Sequence, residues 1–159
     1  MRQRGVTLIQ MMFALAMAAL LTQLGMPAYA RLSDDLYRAA AARDLTQTLR
    51  GARSHAMLQS QPVLVRPLEG DWGKGWRVLL EHNQQVLREH RFSRLMKIAG
   101  NTDGQVKFSA QGMPVGRLGA TIRVCEGSST SSKYRVVISS AGRVDLRTDD
   151  KTDSLCAGP

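Results

Sequence analysis

Residues 5 to 30 read GVTLIQMMFALAMAALLTQLGMPAYA, a run rich in Leu, Met, Ala and Ile that carries no charged side chain. About 20 apolar residues in a helix cross a hydrocarbon layer of roughly 30 Å, so the run has the length of a membrane span. Arg2 and Arg4 precede it and Arg31 follows it. With basic residues held inside, the short N-terminus belongs in the cytoplasm and the rest of the chain outside. A secretory signal has a shorter apolar core, about 7 to 15 residues, followed by a small-x-small cleavage site after which the apolar segment is lost. Ala28-Tyr29-Ala30 has that form, so ordinary signal cleavage is the competing reading of the same residues.

The remaining chain bounds the rest. At 159 residues there is room for one globular domain with a real core beside this N-terminal element. The excess of 22 basic over 13 acidic residues, a formal +9, favours polyanions such as nucleic acid or anionic lipid as neighbours and does not choose between them. Cys125 and Cys156 have no CxxC or Cys/His spacing, which argues against a zinc site. They either pair in an oxidising compartment, if the domain is exported, or stay as two buried thiols in a reducing one.

Beyond Pro27, apolar residues recur every three or four positions at Leu32, Leu36, Ala39, Ala42, Leu45, Leu49, Ala52 and Ala56, one stripe of a helix whose other face is charged. Pro62 biases its predecessor away from helix, which ends the element near Ser60. Short β-type segments follow: Val63 to Arg66, Trp76 to Glu81, Gln85 to Arg91, Val106 to Phe108, Thr121 to Cys125, Tyr134 to Ser139 and Arg143 to Arg147. Hairpins are expected at His82-Asn83-Gln84 and Ser140-Ala141-Gly142, and a flexible loop from Gly127 to Ser132. A long hydrophobic N-terminal helix packed on a C-terminal antiparallel β-sheet domain is an α+β fold.

Chemistry finds little support. His55, His82 and His90 have no HExxH-like spacing, and neither a Gly-x-Ser-x-Gly nor a P-loop pattern occurs. The expectation is therefore no enzyme, no cofactor and no metal. The glycines around Trp72 and Trp76 lack the strand-then-helix context of a phosphate cradle and read instead as a tight turn with two packed indoles.

Gly5-Val6-Thr7-Leu8-Ile9-Gln10, after a basic stub and before Met11-Met12-Phe13, resembles the prepilin motif of type IV pilins and type II secretion pseudopilins. The resemblance implies cleavage after Gly5 by a prepilin peptidase, methylation of Val6 and retention of the apolar helix. Pro27 is the twenty-second residue from Val6, where pilin helices commonly carry proline. It divides the chain into a leader (1–5), a membrane and filament-core helix (6–30) and a globular part (31–159) with helix 31–60 and a β-rich region 62–159. Val6 and Gln10 stand where Phe and Glu are usual. The family's carboxylate is thought to meet a neighbour's terminal amine, and an amide accepts a hydrogen bond without neutralising charge, which implies a rare or specially placed subunit.

Downstream, Leu49-Arg50-Gly51-Ala52-Arg53-Ser54, Trp72-Gly73-Lys74-Gly75-Trp76-Arg77-Val78 and the segment from Tyr134 to Cys156 resemble the GspH/FimT group of pilin-like proteins. The cysteine placement of that group implies a Cys125–Cys156 disulfide. Gly142-Arg143-Val144-Asp145-Leu146-Arg147 is similar to the Gly-Arg-x-Arg region through which members bind DNA during natural transformation, although Asp145 intervenes and the second arginine comes later. In a strand Arg143, Asp145 and Arg147 share one face, and Lys133 and Arg135 on the hairpin partner, with Arg117 and Arg123 earlier, extend it. The plain alternative is a solvated basic strand face. The implied role is a minor type IV pilin, anchored in the bacterial inner membrane with its domain periplasmic and then assembled into the pilus. Its partners would be other pilins and double-stranded DNA without sequence preference. The alternative is a pseudopilin of a type II secretion system that binds no DNA.

Overall fold

The computed structural model describes residues 7–102, 104–116, 119–127, 131–152 and 154–157, without the side chains of Leu24, Ser131, residues 149–152, Ser154 and Ala157. Gly5, Val6 and Arg117 lie outside them. The chain forms two units, Met1–Tyr37 and Arg38–Pro159.

Helix α1 (Leu8–Gln59) runs through both and contains Pro27. Leu, Met and Ala propagate it readily. Pro27 lacks the N–H that the Gln23 carbonyl would otherwise receive. At the far end Ser60 adopts φ 50°, and the Gln61 N–H reaches the Ala56 carbonyl at 3.1 Å. That is a Schellman stop, with Pro62 preventing any further turn. In the first unit the large apolar side chains from Leu8 to Leu21 and from Met26 to Leu36 are exposed. Leu32 and Leu36, expected on the packing stripe, are 59% and 61% exposed, so burial of the stripe begins at Ala39.

In the second unit the helix stripe of Ala42, Leu45, Leu49, Ala52 and Ala56 shares one core with two antiparallel sheets. The first sheet has the order β3-β2-β1-β5, from β1 (Val63–Leu68), β2 (Asp71–Leu80), β3 (Val86–Arg91) and β5 (Val106–Phe108). The second has the order β4-β6-β7-β8, from β4 (Ile98–Gly100), β6 (Ala120–Cys125), β7 (Ser131–Ile138) and β8 (Val144–Thr152). Trp76 fills the centre of the core, and its indole N–H donates to the Thr48 hydroxyl at 3.1 Å. Without that partner the buried donor would cost about 1 to 3 kcal/mol.

Both expected hairpins form, between β2 and β3 and between β7 and β8. The tight turn expected around Trp72 to Trp76 is instead the start of β2. The chain reverses earlier, at Glu69-Gly70, with φ of 52° and 78°, the two positive values of a two-residue hairpin loop. Gly73 and Gly75 sit within the strand because the crossover to the second sheet lies against Gly73 and the end of β3 against Gly75. The loop expected from Gly127 to Ser132 falls partly outside the described residues; Ser131 and Ser132 belong to β7, where buried Ser132 accepts from Arg123 Nη1 at 3.0 Å. A short α2 (Ser154–Ala157) packs against β4 and β6 and is tied down by the Cys125–Cys156 disulfide, S–S 2.04 Å.

Candidate functional site

Two regions carry the residues that the sequence singles out. In the first unit, Gln10 lies one turn into α1, and its side-chain carbonyl accepts the Thr7 backbone N–H at 3.1 Å. The apolar side chains around it and beyond, Leu8, Ile9, Phe13, Leu15, Leu20 and Leu21, are all more than half exposed. An apolar surface of that extent on one helix requires lipid or other apolar chains around it. By length and composition α1 is a candidate membrane span.

In the second unit, the β7–β8 hairpin sets the cationic side chains. Arg135 on β7 is the register partner of Arg147 on β8 and of Arg123 on β6. The three arginines therefore form one row across neighbouring strands, about 4.8 Å apart from strand to strand. Like charges directly opposite each other destabilise a sheet, so the row costs the fold something unless anions or carboxylates balance it. Arg123 is 5% exposed, whereas Arg147 is open to solvent. Lys133 stands earlier on β7 with its ammonium 5.7 Å from the Tyr134 ring centroid. Val144 is buried and Leu146 packs against the core, which turns Arg143, Asp145 and Arg147 outward.

Arg143 sits at the turn, 73% exposed at its side chain, with its Nε 2.9 Å from the Asp145 carboxylate. That ion pair offsets part of the charge Arg143 offers a phosphate. The structure thus brings Arg135 and Arg147 together and leaves Arg143 at the turn end with an acidic neighbour. The side chains of Asp149 and Asp150, and all of Asp153, fall outside the described residues.

Sequence reasoning did not find what holds that turn. Arg53 Nε donates to the Gly112 carbonyl at 2.9 Å and its Nη2 to the Ala141 carbonyl at 3.3 Å, while Arg50 Nε donates to the Val144 carbonyl at 2.9 Å. Two helix arginines therefore clasp the hairpin tip, and their spacing of three on one helix face is the only trace in the sequence. Gly142, φ 77°, has no room for a side chain there: a Cβ would stand 2.1 Å from the Gly112 carbonyl oxygen. Among the described residues no group of His, Cys, Asp and Glu gathers to hold a metal ion. His55 and His82 stand on α1 and the β2–β3 turn, and His90 stacks on Trp76 with ring centroids 4.7 Å apart.

Comparison with known proteins agrees with this architecture. The family model of the Type II transport protein GspH matches residues 41–142. Two crystal forms of the type IV minor pilin FimU of Pseudomonas aeruginosa PAO1 superpose with a TM-score of 0.63. One is 24% identical and covers 79% of this chain and 98% of its own; the other is 27% identical and covers 74% and 98%. No curated protein sequence matches. A long N-terminal helix packed on antiparallel sheets is the pilin-like fold, and the chain belongs to the GspH family of type IV pilin-like proteins.

Proposed function

We propose that this chain is a minor type IV pilin, held in the inner membrane by the apolar half of α1 with its domain on the periplasmic side, and then packed through that helix among other pilins. The observation that carries the reading is the set of exposed apolar side chains between Leu8 and Leu36, among the described residues, on a helix whose second half belongs to a FimU-like domain. Prepilin peptidase cleaves after Gly5 and Val6 is methylated, so the helix survives maturation. Intact mass of the mature chain is the test. A mass beginning at Val6 plus one methyl group supports it, and a mass lacking residues 6 to 30 sinks it.

The β7–β8 face adds capture of double-stranded DNA through phosphate contacts from Arg135, Arg147, Lys133 and Arg143. What supports it is the pairing of Arg135 with Arg147 across the hairpin. Such binding is independent of sequence, and its logarithmic salt slope is roughly 0.9 per phosphate neutralised. Replacing Arg143 and Arg147 by Gln should remove most retention of duplex by the full chain in detergent; unchanged retention rejects the face.

The description of the matching family favours a second reading, a pseudopilin of a type II secretion machine whose partners are other pseudopilins. Recovery of the chain in pili sheared from the cell surface separates the two, since a pseudopilin stays with the envelope.

A further inference from the structure

The Trp72-Gly73-Lys74-Gly75-Trp76 stretch builds a surface on the first sheet, apart from the β7–β8 hairpin of the second. Gly73 lets the crossover from Phe92 to Met96 lie directly on β2, and Gly75 lets the end of β3 do so. A Cβ on Gly73 would stand 1.8 Å from the Met96 carbonyl oxygen, and one on Gly75 would stand 2.1 Å from that of His90. The Phe92 N–H donates to the Lys74 carbonyl and the Met96 N–H to the Gly73 carbonyl, both at 3.2 Å. Ser93, Arg94 and Leu95 therefore protrude as a short finger fixed at both ends. Beside it lies a shallow pocket of about 220 Å³ lined by Lys74, Arg91, Ser93 and Arg94, with Glu69 at its margin.

Charge and exposure give the finger its character. From Arg88 to Lys97 there are four exposed cations, Arg88, Arg91, Arg94 and Lys97, against the carboxylate of Glu89, which lies 2.9 Å from Arg91 Nε and offsets part of its charge, as Glu69 does for Lys74. Leu95 is 77% exposed. A lone surface leucine is ordinary, but set between Arg94 and Lys97 on a pinned loop it forms the apolar tip of a cationic surface.

The place of the finger within the second unit matters as much. β2 ends beside Pro62, where the Glu81 N–H meets the Pro62 carbonyl, after passing Thr48 at Trp76. Its Gly73 end therefore lies on the far side of Thr48 from the Ser60 end of the helix, within this unit. The Arg143 turn is clasped by Arg53, near that Ser60 end.

We propose that this finger docks on the anionic phospholipid headgroups of the membrane that holds the chain. Lys74, Arg91, Arg94 and Lys97 meet the phosphates, and Leu95 enters the apolar boundary below them. The inference rests on the reading that the apolar half of α1 lies in a membrane, which presents those phosphates at high effective concentration. A nucleic-acid duplex would also offer phosphates, but it offers Leu95 nothing apolar. Each cation at an anionic surface is worth about fivefold in partitioning, so three removed together amount to roughly a hundredfold.

The test uses the full chain in nanodiscs of phosphatidylglycerol and phosphatidylcholine, or of phosphatidylcholine alone, with a nitroxide on the lipid headgroup. Ser93→Cys carries a fluorophore, the native cysteines being joined to each other, and Ser140→Cys at the far turn is the control. Quenching at position 93 in the anionic discs, absent from the neutral discs and at position 140, is the expected result. It should fall to the control level in the triple variant Arg91→Gln, Arg94→Gln, Lys97→Gln, and weaken in Leu95→Ser. Equal quenching in neutral discs overturns the proposal, as does an unaffected triple variant, or a triple variant that loses retention of duplex DNA while quenching persists. Failure of the chain to co-elute with discs at all instead removes the membrane reading beneath it.

Discussion

At Gln10 one hydrogen bond changes what the residue is for. Its amide oxygen accepts the Thr7 N–H at 3.1 Å, the reciprocal half of a capping box at the start of α1. A carboxylate there would cap equally well and interact favourably with the helix dipole, but it would bring a charge into apolar surroundings. Gln10 caps its own helix without charge. Gln10→Ala is expected to cost about 1 kcal/mol at the first turn, seen as roughly fivefold faster amide exchange at Thr7 to Met11 in nanodiscs, while Gln10→Glu keeps exchange slow. Arg53 acts in a similar local way at the other end, one guanidinium fork serving two carbonyls, Gly112 and Ala141. Charged hydrogen bonds of this kind contribute about 1.5 to 3 kcal/mol, and a lysine lacks the planar fork to span both acceptors. Arg53→Lys should therefore lose most of what Arg53→Ala loses in chemical denaturation; a Lys variant as stable as the parent would show that the fork is not what holds the turn.

The disulfide works on elements rather than residues, because α2 has only four residues and no stability of its own. Cys125 and Cys156 are 31 residues apart, and closing such a loop restricts the unfolded chain by about 3.5 kcal/mol. Replacing both by Ser should lower the melting temperature by roughly 10 to 15 °C, and reduction of the parent should reproduce that fall. At this scale the sequence was legible wherever a repeat was long. The stripe from Ala39 to Ala56 and the stop at Pro62 belong to the helix as read. The start of β2 was not legible, because Gly73 and Gly75 look like breakers until the crossover and the end of β3 that need their missing side chains are known. Three-residue β4 offers no period to detect. Alternation placed Arg143 and Arg147 on one face, but the row of Arg123, Arg135 and Arg147 depends on hairpin register. The Arg53 clasp joins segments 59 and 88 residues apart, beyond any local pattern.

In the second unit the Glu69 carboxylate, at the margin of the finger's pocket, has a clearly shifted ionisation. The hydrogen bond from Lys74, then its charge, holds Glu69 below the usual carboxylate range, with Arg91 adding to this and burial slightly opposing it. The same pair raises Lys74, assisted by Asp71, so the ammonium stays charged throughout. Glu69 is depressed, so it remains an anion at neutral pH and is lost only as the pH falls through its lowered pKa. Below that point the finger gains one unit of positive charge, worth about fivefold in headgroup partitioning. Glu69→Gln should show this tighter docking already at neutral pH and lose the acid step. Duplex retention at the Arg143 end should not respond, since Arg135, Arg143 and Arg147 belong to the β7–β8 hairpin of the second sheet and Glu69 to the β1–β2 turn of the first. Headgroup quenching at position 93, followed from neutral to acid pH in parent and variant, decides the matter. An acid step of the same size in Glu69→Gln would assign it to another carboxylate, such as Asp71 or Glu89, and remove Glu69 from control of the finger.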